Sequence, residues 1–576
     1  MIATNAKILG QKRAGISFPL SSILTESSYG VGDFDSIIEI ANFAANSGFS
    51  ILQILPLNDL GFGKSPYSSI SAFAIDPIYI SLKSLSIKTE KLPIPKKVDF
   101  LETKQKKLAL LKLEFEKKHS KEELEIFLSL NSWLYPYVTF KVLYEKNEGL
   151  HWEYWHEGTS YSKTLFEIIK QKFPKDFYFQ IWLQKVAFTQ LANVKKYLET
   201  KQIYLKGDMP ILTSDNSADV WANPNLFNRT LSSGAPPDYF NSEGQNWGFP
   251  VINWDGMKQE NYRWWKERLK FLENFYHLYR IDHVLGMYRI WAIPRTISRA
   301  RLGFFHPQKG ASRREFNRDR LFPEDFLNHE IIYEFKEDRY IFHWDFFRSE
   351  HYNNLSEETR AKLYKLSNIH NNEDEIHWRE NGEKILKLMI KESSMIPCAE
   401  DLGSVPEFVR NSIFELKLIG LDIIRWTRSF EDGSYITPAH YRKDAVSALS
   451  VHDTSTAMGF WKECSEEQRE AFLATCEKIG LEIKLKTEEE FASLFFEFAM
   501  KANSIFSIHL LQDTIIKGNY SKTFLTEPDE HRINVPGTDE TQNWHYVFPI
   551  YIESISKNKE LTDFLKQKIT ESKRIL

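Results

Sequence analysis

Asp208, Asp282, Glu400 and Asp453 each stand at or near the C-terminal end of a short apolar run, although the runs lie far apart in the chain. For any one of these acids a helix N-cap is the simpler role. For four together it is not, because gathering carboxylates is costly unless chemistry uses them. Paired carboxylates without a metal-ligand cluster suit glycosyl transfer: one attacks the anomeric carbon, and its partner protonates the departing oxygen. Arg280 precedes Asp282 by two residues, so on a strand both point to one face, where the guanidinium is expected to hold Asp282 ionised. Glu400 follows the desolvating run Met395 to Ala399, which should raise its pKa towards general-acid use. Asp401 points the other way on a regular strand and is expected to be structural.

Other polar signals carry less. Gly61-Phe62-Gly63-Lys64-Ser65 looks like the end of a phosphate-binding loop, but Asn58 occupies the position of the first glycine and Pro66 prevents a following helix. A kinase is therefore disfavoured. His151 and His156 flank Trp-Glu-Tyr-Trp with the wrong spacing for a zinc site and no third ligand, so neither a metal nor any other cofactor is expected. The Lys104 to Lys107 stretch is expected on a solvated helix face.

The acids need a scaffold that brings them together. Eight apolar runs read as strands: 14–20, 49–57, 203–211, 279–286, 394–401, 420–426, 445–453 and 505–513. Between the first two, Asp33 caps a helix with Ile37, Ile40, Ala41 and Ala44 on one face, ended by Gly48. Continuous apolar strands separated by helices imply a parallel sheet covered on both faces. Eight of them favour a closed (β/α)8 TIM barrel, whose C-terminal rim collects catalytic side chains. Two long intervals, at about 80–195 after strand 2 and about 296–390 after strand 4, read as mainly helical insertions within a single 1–576 catalytic domain.

Composition agrees. With 576 residues, 74 Lys+Arg against 78 Asp+Glu and a net charge of −4, the chain is not a dedicated nucleic-acid or anionic-membrane binder. No apolar run is long enough to span a bilayer. Three cysteines and no apolar leader point to the cytoplasm. Aromatic residues reach 14%, and although most belong in cores, flat amphipathic rings also suit sugar faces. Nothing in the pattern points to an oligomeric state.

The stretches Arg280-Ile281-Asp282-His283, Ala399-Glu400-Asp401-Leu402-Gly403 and Val451-His452-Asp453 resemble the three catalytic stretches of the 4-α-glucanotransferases, the amylomaltase or disproportionating-enzyme family. Ser65-Pro66-Tyr67-Ser68-Ser69, Gly207-Asp208-Met209-Pro210-Ile211, Gly234 to Phe240, Gln245-Asn246-Trp247-Gly248, Asn534-Val535-Pro536-Gly537-Thr538 and Asn543-Trp544 also match, in family order, from about residue 13 to 548. The resemblance implies Asp282 as nucleophile, Glu400 as acid/base and Asp453 as a third carboxylate gripping ring hydroxyls. It places Arg280, His452, Tyr67 and Asp208 at the donor subsite and Tyr239, Phe240 and Trp247 in a glucan-contacting loop.

Trp247-Gly248-Phe249-Pro250, Gly420-Leu421 and His452 to Thr456 lie closer to the plant cytosolic disproportionating type than to the compact bacterial amylomaltases, which carry Asn where this chain has Thr454. The starch-binding domains of the plant type are not expected here. The implied partners are an α-1,4-glucan donor (maltose, maltooligosaccharide or glycogen) and a sugar acceptor. An α-amylase-like hydrolase and a catalytically silent glucan-binding protein are the rival readings.

Overall fold

The computed structural model describes residues 2–117, 119–238, 241–429, 431–538 and 542–574. Each expected apolar run overlaps a strand: β1 (Arg13–Phe18), β2 (Ile51–Ile54), β3 (Tyr204–Pro210), β4 (Leu278–Asp282), β5 (Ile396–Ala399), β6 (Gly420–Ile423), β7 (Ala445–Ala448) and β8 (Phe506–Leu510). They pair in parallel in the order β5-β4-β3-β2-β1-β8-β7-β6. The ends of that series meet in a thin seam. Cys398 bridges to Ile419, and the Ala399 N–H donates to the Ile419 carbonyl at 2.7 Å. Asp401 reinforces the seam, accepting from the Leu421 N–H at 2.8 Å and from Arg442 Nη1 at 2.5 Å. Its expected structural role is therefore to tie the end of β5 to β6.

Local signals set the outer helices. In α1 (Phe34–Ser47) the Asp33 carboxylate accepts from the Asp35 N–H, Ser36 completes a capping box, and Gly48 ends the helix at φ 87°. Its apolar stripe, including Ile37, Ile40, Ala41 and Ala44, is buried.

The barrel interior is layered by the two-residue period of its strands. Ile51, Tyr204, Leu278, Ile396, Ile419, Val446 and Phe506 belong to one apolar cluster at the N-terminal end. Two residues further along, Gln53, Lys206, Arg280 and Cys398 face the cleft above it. One more step brings Asp208 opposite Arg280 across the β3–β4 register, and Asp282 and Glu400 to the rim. Hydrophobic burial thus supplies a packed floor, and the charged groups are confined to the open end.

Between β2 and β3 run α2 (Phe100–Lys117), α3 (Lys121–Leu130), α4 (Leu134–Lys146), α5 (Lys163–Lys172) and α6 (Pro174–Thr200). Lys104 and Lys107 do not lie on a solvated face. Both are buried against the loop that follows β2, Lys104 between Asp59 and Asp76 and Lys107 with its Nζ on the Ile78 carbonyl at 2.6 Å. Burial pushes the Lys107 ammonium down to about 8.

After β4, the segments Ile290–Pro294 and Phe304–His306 join Phe227–Ala235 and Gln245–Ile252, from the β3–β4 connection, in a four-stranded antiparallel sheet. A second antiparallel sheet follows, built from Ala311–Ser312, Ile332–Lys336 and Arg339–Phe342. The 36-residue helix α7 (Glu357–Glu392) then leads back to β5.

Candidate active site

The C-terminal end of the barrel opens into a cleft of about 1620 Å³. Asp282 enters it from the last residue of β4 and Glu400 from the residue after β5. The two strands are paired in register, Ala399 opposite Ile281, and the Glu400 N–H donates to the Ile281 carbonyl at 3.0 Å. His283 adopts a left-handed backbone (φ 53°) and donates its N–H to Glu400 Oε2 at 2.9 Å. Leu402 N–H donates to the other oxygen at 3.1 Å. Glu400 is thus held by backbone from two sides, with no cation among its contacts in the described residues.

Arg280 is shared. Its Nη1 lies 2.8 Å from Asp282 Oδ1, and 3.0 and 2.8 Å from the two oxygens of Asp208. Tyr67, in the loop after β2, donates its hydroxyl to Asp208 at 2.8 Å and stands 2.9 Å from His452 Nε2. His452 Nε2 is 3.1 Å from Asp453 Oδ2, and Asn534 donates to Asp453 Oδ1 at 2.6 Å. A continuous polar chain therefore runs Asn534–Asp453–His452–Tyr67–Asp208–Arg280–Asp282 around the rim. β7 ends at Ala448, so His452 and Asp453 lie beyond the strand and both can face the cleft despite being adjacent.

The electrostatics follow from this wiring. Burial pushes Asp282 up to about 7; Arg280 and His452 oppose the rise, while Asp208 and Glu400 add to it. The sequence led us to expect Arg280 to keep Asp282 ionised. The guanidinium is in contact as expected, but Asp208 claims the same Nη1 and burial outweighs what is left. Burial also raises Glu400. At Asp453 burial works the same way, yet His452 and Asn534 prevail and hold it at about 2. His452 is correspondingly raised: burial opposes its charge, and Asp453 overcomes that. Burial and then Asp208 keep the Tyr67 phenol well above its ordinary range, so it remains a donor. Burial pushes His283 down to about 4, leaving a neutral ring.

Trp247 lines the cleft with its ring edge-on to His283, centroids 5.0 Å apart. Tyr239 and Phe240 lie outside the described residues. The structure adds groups that the strand pattern did not single out: Asn534 on Asp453, His283 on Glu400, and Trp544, whose ring centroid is 5.6 Å from Tyr67 and 6.0 Å from His452. Asn534 and Trp544 sit in the segment after β8, within stretches whose family resemblance marked them without assigning either a role. Among the described residues no cluster of His, Cys, Asp and Glu could hold a metal ion.

A (β/α)8 barrel with half-buried carboxylates at the ends of adjacent strands on its open rim, beside aromatic rings in a large cleft, fits a carbohydrate-processing enzyme. A 4-alpha-glucanotransferase family model matches residues 18–551. The 4-alpha-glucanotransferase of Chlamydia pneumoniae is 31% identical over 98% of this chain and 97% of its own length. The 4-alpha-glucanotransferase DPE2 of Oryza sativa subsp. japonica is 30% identical over 97% of this chain and 70% of its own. Among solved structures, the amylomaltase from Streptococcus agalactiae in complex with acarbose aligns with a TM-score of 0.74 at 21% identity, covering 98% of this chain and 100% of that one. The chain belongs to the 4-alpha-glucanotransferase family, and its activity is that of the family, glycosyl transfer between α-1,4-glucans.

Proposed function

We propose that transfer proceeds by a retaining double displacement in which Asp282 is the nucleophile and Glu400 the acid/base. The Asp282 carboxylate attacks the anomeric carbon, the glycosidic C–O bond breaks, and the Glu400 proton goes to the departing oxygen. The 4-hydroxyl of an acceptor sugar then gives its proton to Glu400 as its oxygen attacks the same carbon, and the Asp282 carboxylate leaves. The observation that carries this reading is that Asp282 ends β4 and Glu400 directly follows β5, each one residue beyond the paired Ile281 and Ala399. Adjacent strands lie about 4.8 Å apart, close to the ~5–5.5 Å separation of carboxyls in retaining enzymes and well short of the inverting gap.

Two neighbouring half-buried carboxyls retain one proton between them rather than ionising together. Arg280 touches Asp282 and reaches Glu400 only across space, which favours placing the negative charge on the nucleophile. Asp453, held ionised, is suited to accept hydrogen bonds from ring hydroxyls of the donor sugar. Tyr67, His452, Asp208 and Arg280 form the wall beside it, and Trp247 offers a ring for the glucan. The donor is maltose or a short maltooligosaccharide and the acceptor a larger glucan such as glycogen, in the cytoplasm. This assignment rests on the resemblance of Trp247-Gly248-Phe249-Pro250, Gly420-Leu421 and His452 to Thr456 to the plant cytosolic disproportionating type and on the composition of the chain.

Incubation with maltotriose tests the reading: transfer yields glucose together with chains longer than the substrate, whereas products no longer than maltose would assign the protein to hydrolysis. Asp282→Asn is expected to reduce turnover by about 10³-fold or more with the fold intact. Ordinary turnover by that variant would remove Asp282 from the mechanism.

A further inference from the structure

The loop after β2 has a neck and a tip. At the neck, Asn58 and Ile75 form an antiparallel bridge; Tyr67 lies in the turn between them. Buried Asp59 and Asp76 flank the neck, and the helical insertion reaches both. Lys104 of α2 donates its Nζ to Asp59 Oδ1 at 2.8 Å, to Asp76 Oδ2 at 2.8 Å and to the Gly61 carbonyl at 3.0 Å. From α4, Lys141 Nζ lies 2.9 Å from Asp59 Oδ2, and the Tyr137 hydroxyl donates to the same oxygen at 2.8 Å. Gln184 of α6 brackets Ile75, accepting its N–H and donating to its carbonyl, both at 2.9 Å. The carboxylates return the order to the loop itself: Asp59 accepts from the Gly61 N–H and Asp76 from the Leu60 N–H.

Two ammonium groups and two carboxylates in a buried contact stabilise a fold little better than apolar side chains of similar volume, but they define a single geometry. Here that geometry belongs to the loop that delivers Tyr67 between Asp208 and His452. We propose that Lys104, Lys141 and Tyr137 are positioning residues for the transfer reaction. Through Asp59 and Asp76 they fix the neck of the Tyr67 loop, so the helical insertion sets the donor wall as well as covering the barrel. The proposal rests on the role assigned to Tyr67 above.

The test is a double-mutant cycle read in kcat and KM for maltotriose transfer, well below the unfolding temperature. Tyr137→Phe removes a single hydrogen bond and spares the buried charges; Lys141→Met removes a cation and is the stronger perturbation. Each is made alone and together with Tyr67→Phe. If the cluster acts through Tyr67, Tyr137→Phe lowers kcat about 3- to 10-fold with little change in KM, and that loss shrinks to under about 2-fold in the Tyr67→Phe background. The same factor in both backgrounds, or unchanged kcat in a folded Tyr137→Phe protein, overturns the proposal. Wild-type turnover by Tyr67→Phe alone instead overturns the role of Tyr67, and with it the basis of the inference. Should Lys141→Met not fold, the Tyr137→Phe arm decides alone.

Discussion

Arg280 serves two carboxylates from one nitrogen, and this division governs how Asp282 titrates. A carboxyl raised from its ordinary value to about 7 binds its proton more tightly in the folded state than in the unfolded one. Its contribution to stability is therefore fully present below the unfolded pKa near 4 and is lost as pH rises through about 7. Asp282→Asn escapes that loss. The variant is expected to melt higher than the parent at neutral pH, by an amount on the order of 2 kcal/mol, with the gap closing as pH falls towards 4. Paired thermal denaturation curves across that range check it; a gap independent of pH contradicts the assigned cause. Activity follows the same pair. Ionisation of Asp282 creates the nucleophile and ionisation of Glu400 removes the acid, so kcat/KM should be bell-shaped in pH. Trp247 acts by contact instead: Trp247→Ala should raise KM for maltotriose about 10-fold and change kcat less.

The strands were legible because each is a short, continuous apolar run ending in a polar residue, and a parallel barrel demands that pattern at every strand. The acids were legible because they sit where those runs stop. What the chain pattern hides is pairing across distance. Lys104 reads as one of several lysines on a helix, and nothing near it reveals that Asp59 and Asp76 wait in another segment. Asn534 lay in a stretch the family resemblance marked, but its contact with Asp453 could not be read from the chain. The antiparallel strands beside the barrel are three to nine residues long and contribute to a shared sheet from two different connections, which leaves no local periodicity to read. The Asp401–Arg442 tie is of the same kind. Arg442→Met strands a buried carboxylate and should destabilise the fold by about 3 kcal/mol in urea titration, while Arg442→Lys loses less. An unaltered midpoint for the methionine variant would mean that the seam does not depend on this pair.

Taken as one body, the molecule divides labour between a sealed base and a wet rim. The apolar cluster under the cleft lets the upper side chains be charged without weakening the sheet below them, while the loop after β2, the β3–β4 connection, the loops after β5, β6 and β7 and the segment after β8 supply the walls. Different parts of the chain thus answer for folding and for glucan handling. Seven of the eight joints between staves are regular ladders, and the eighth is a single bridge with its carboxylate brace. Glu400 stands directly beside that eighth joint. On the proposed mechanism, the joint held by a single bridge thus lies beside the group that trades a proton twice in each cycle, while Asp282, one stave further in, sits on a strand paired on both sides.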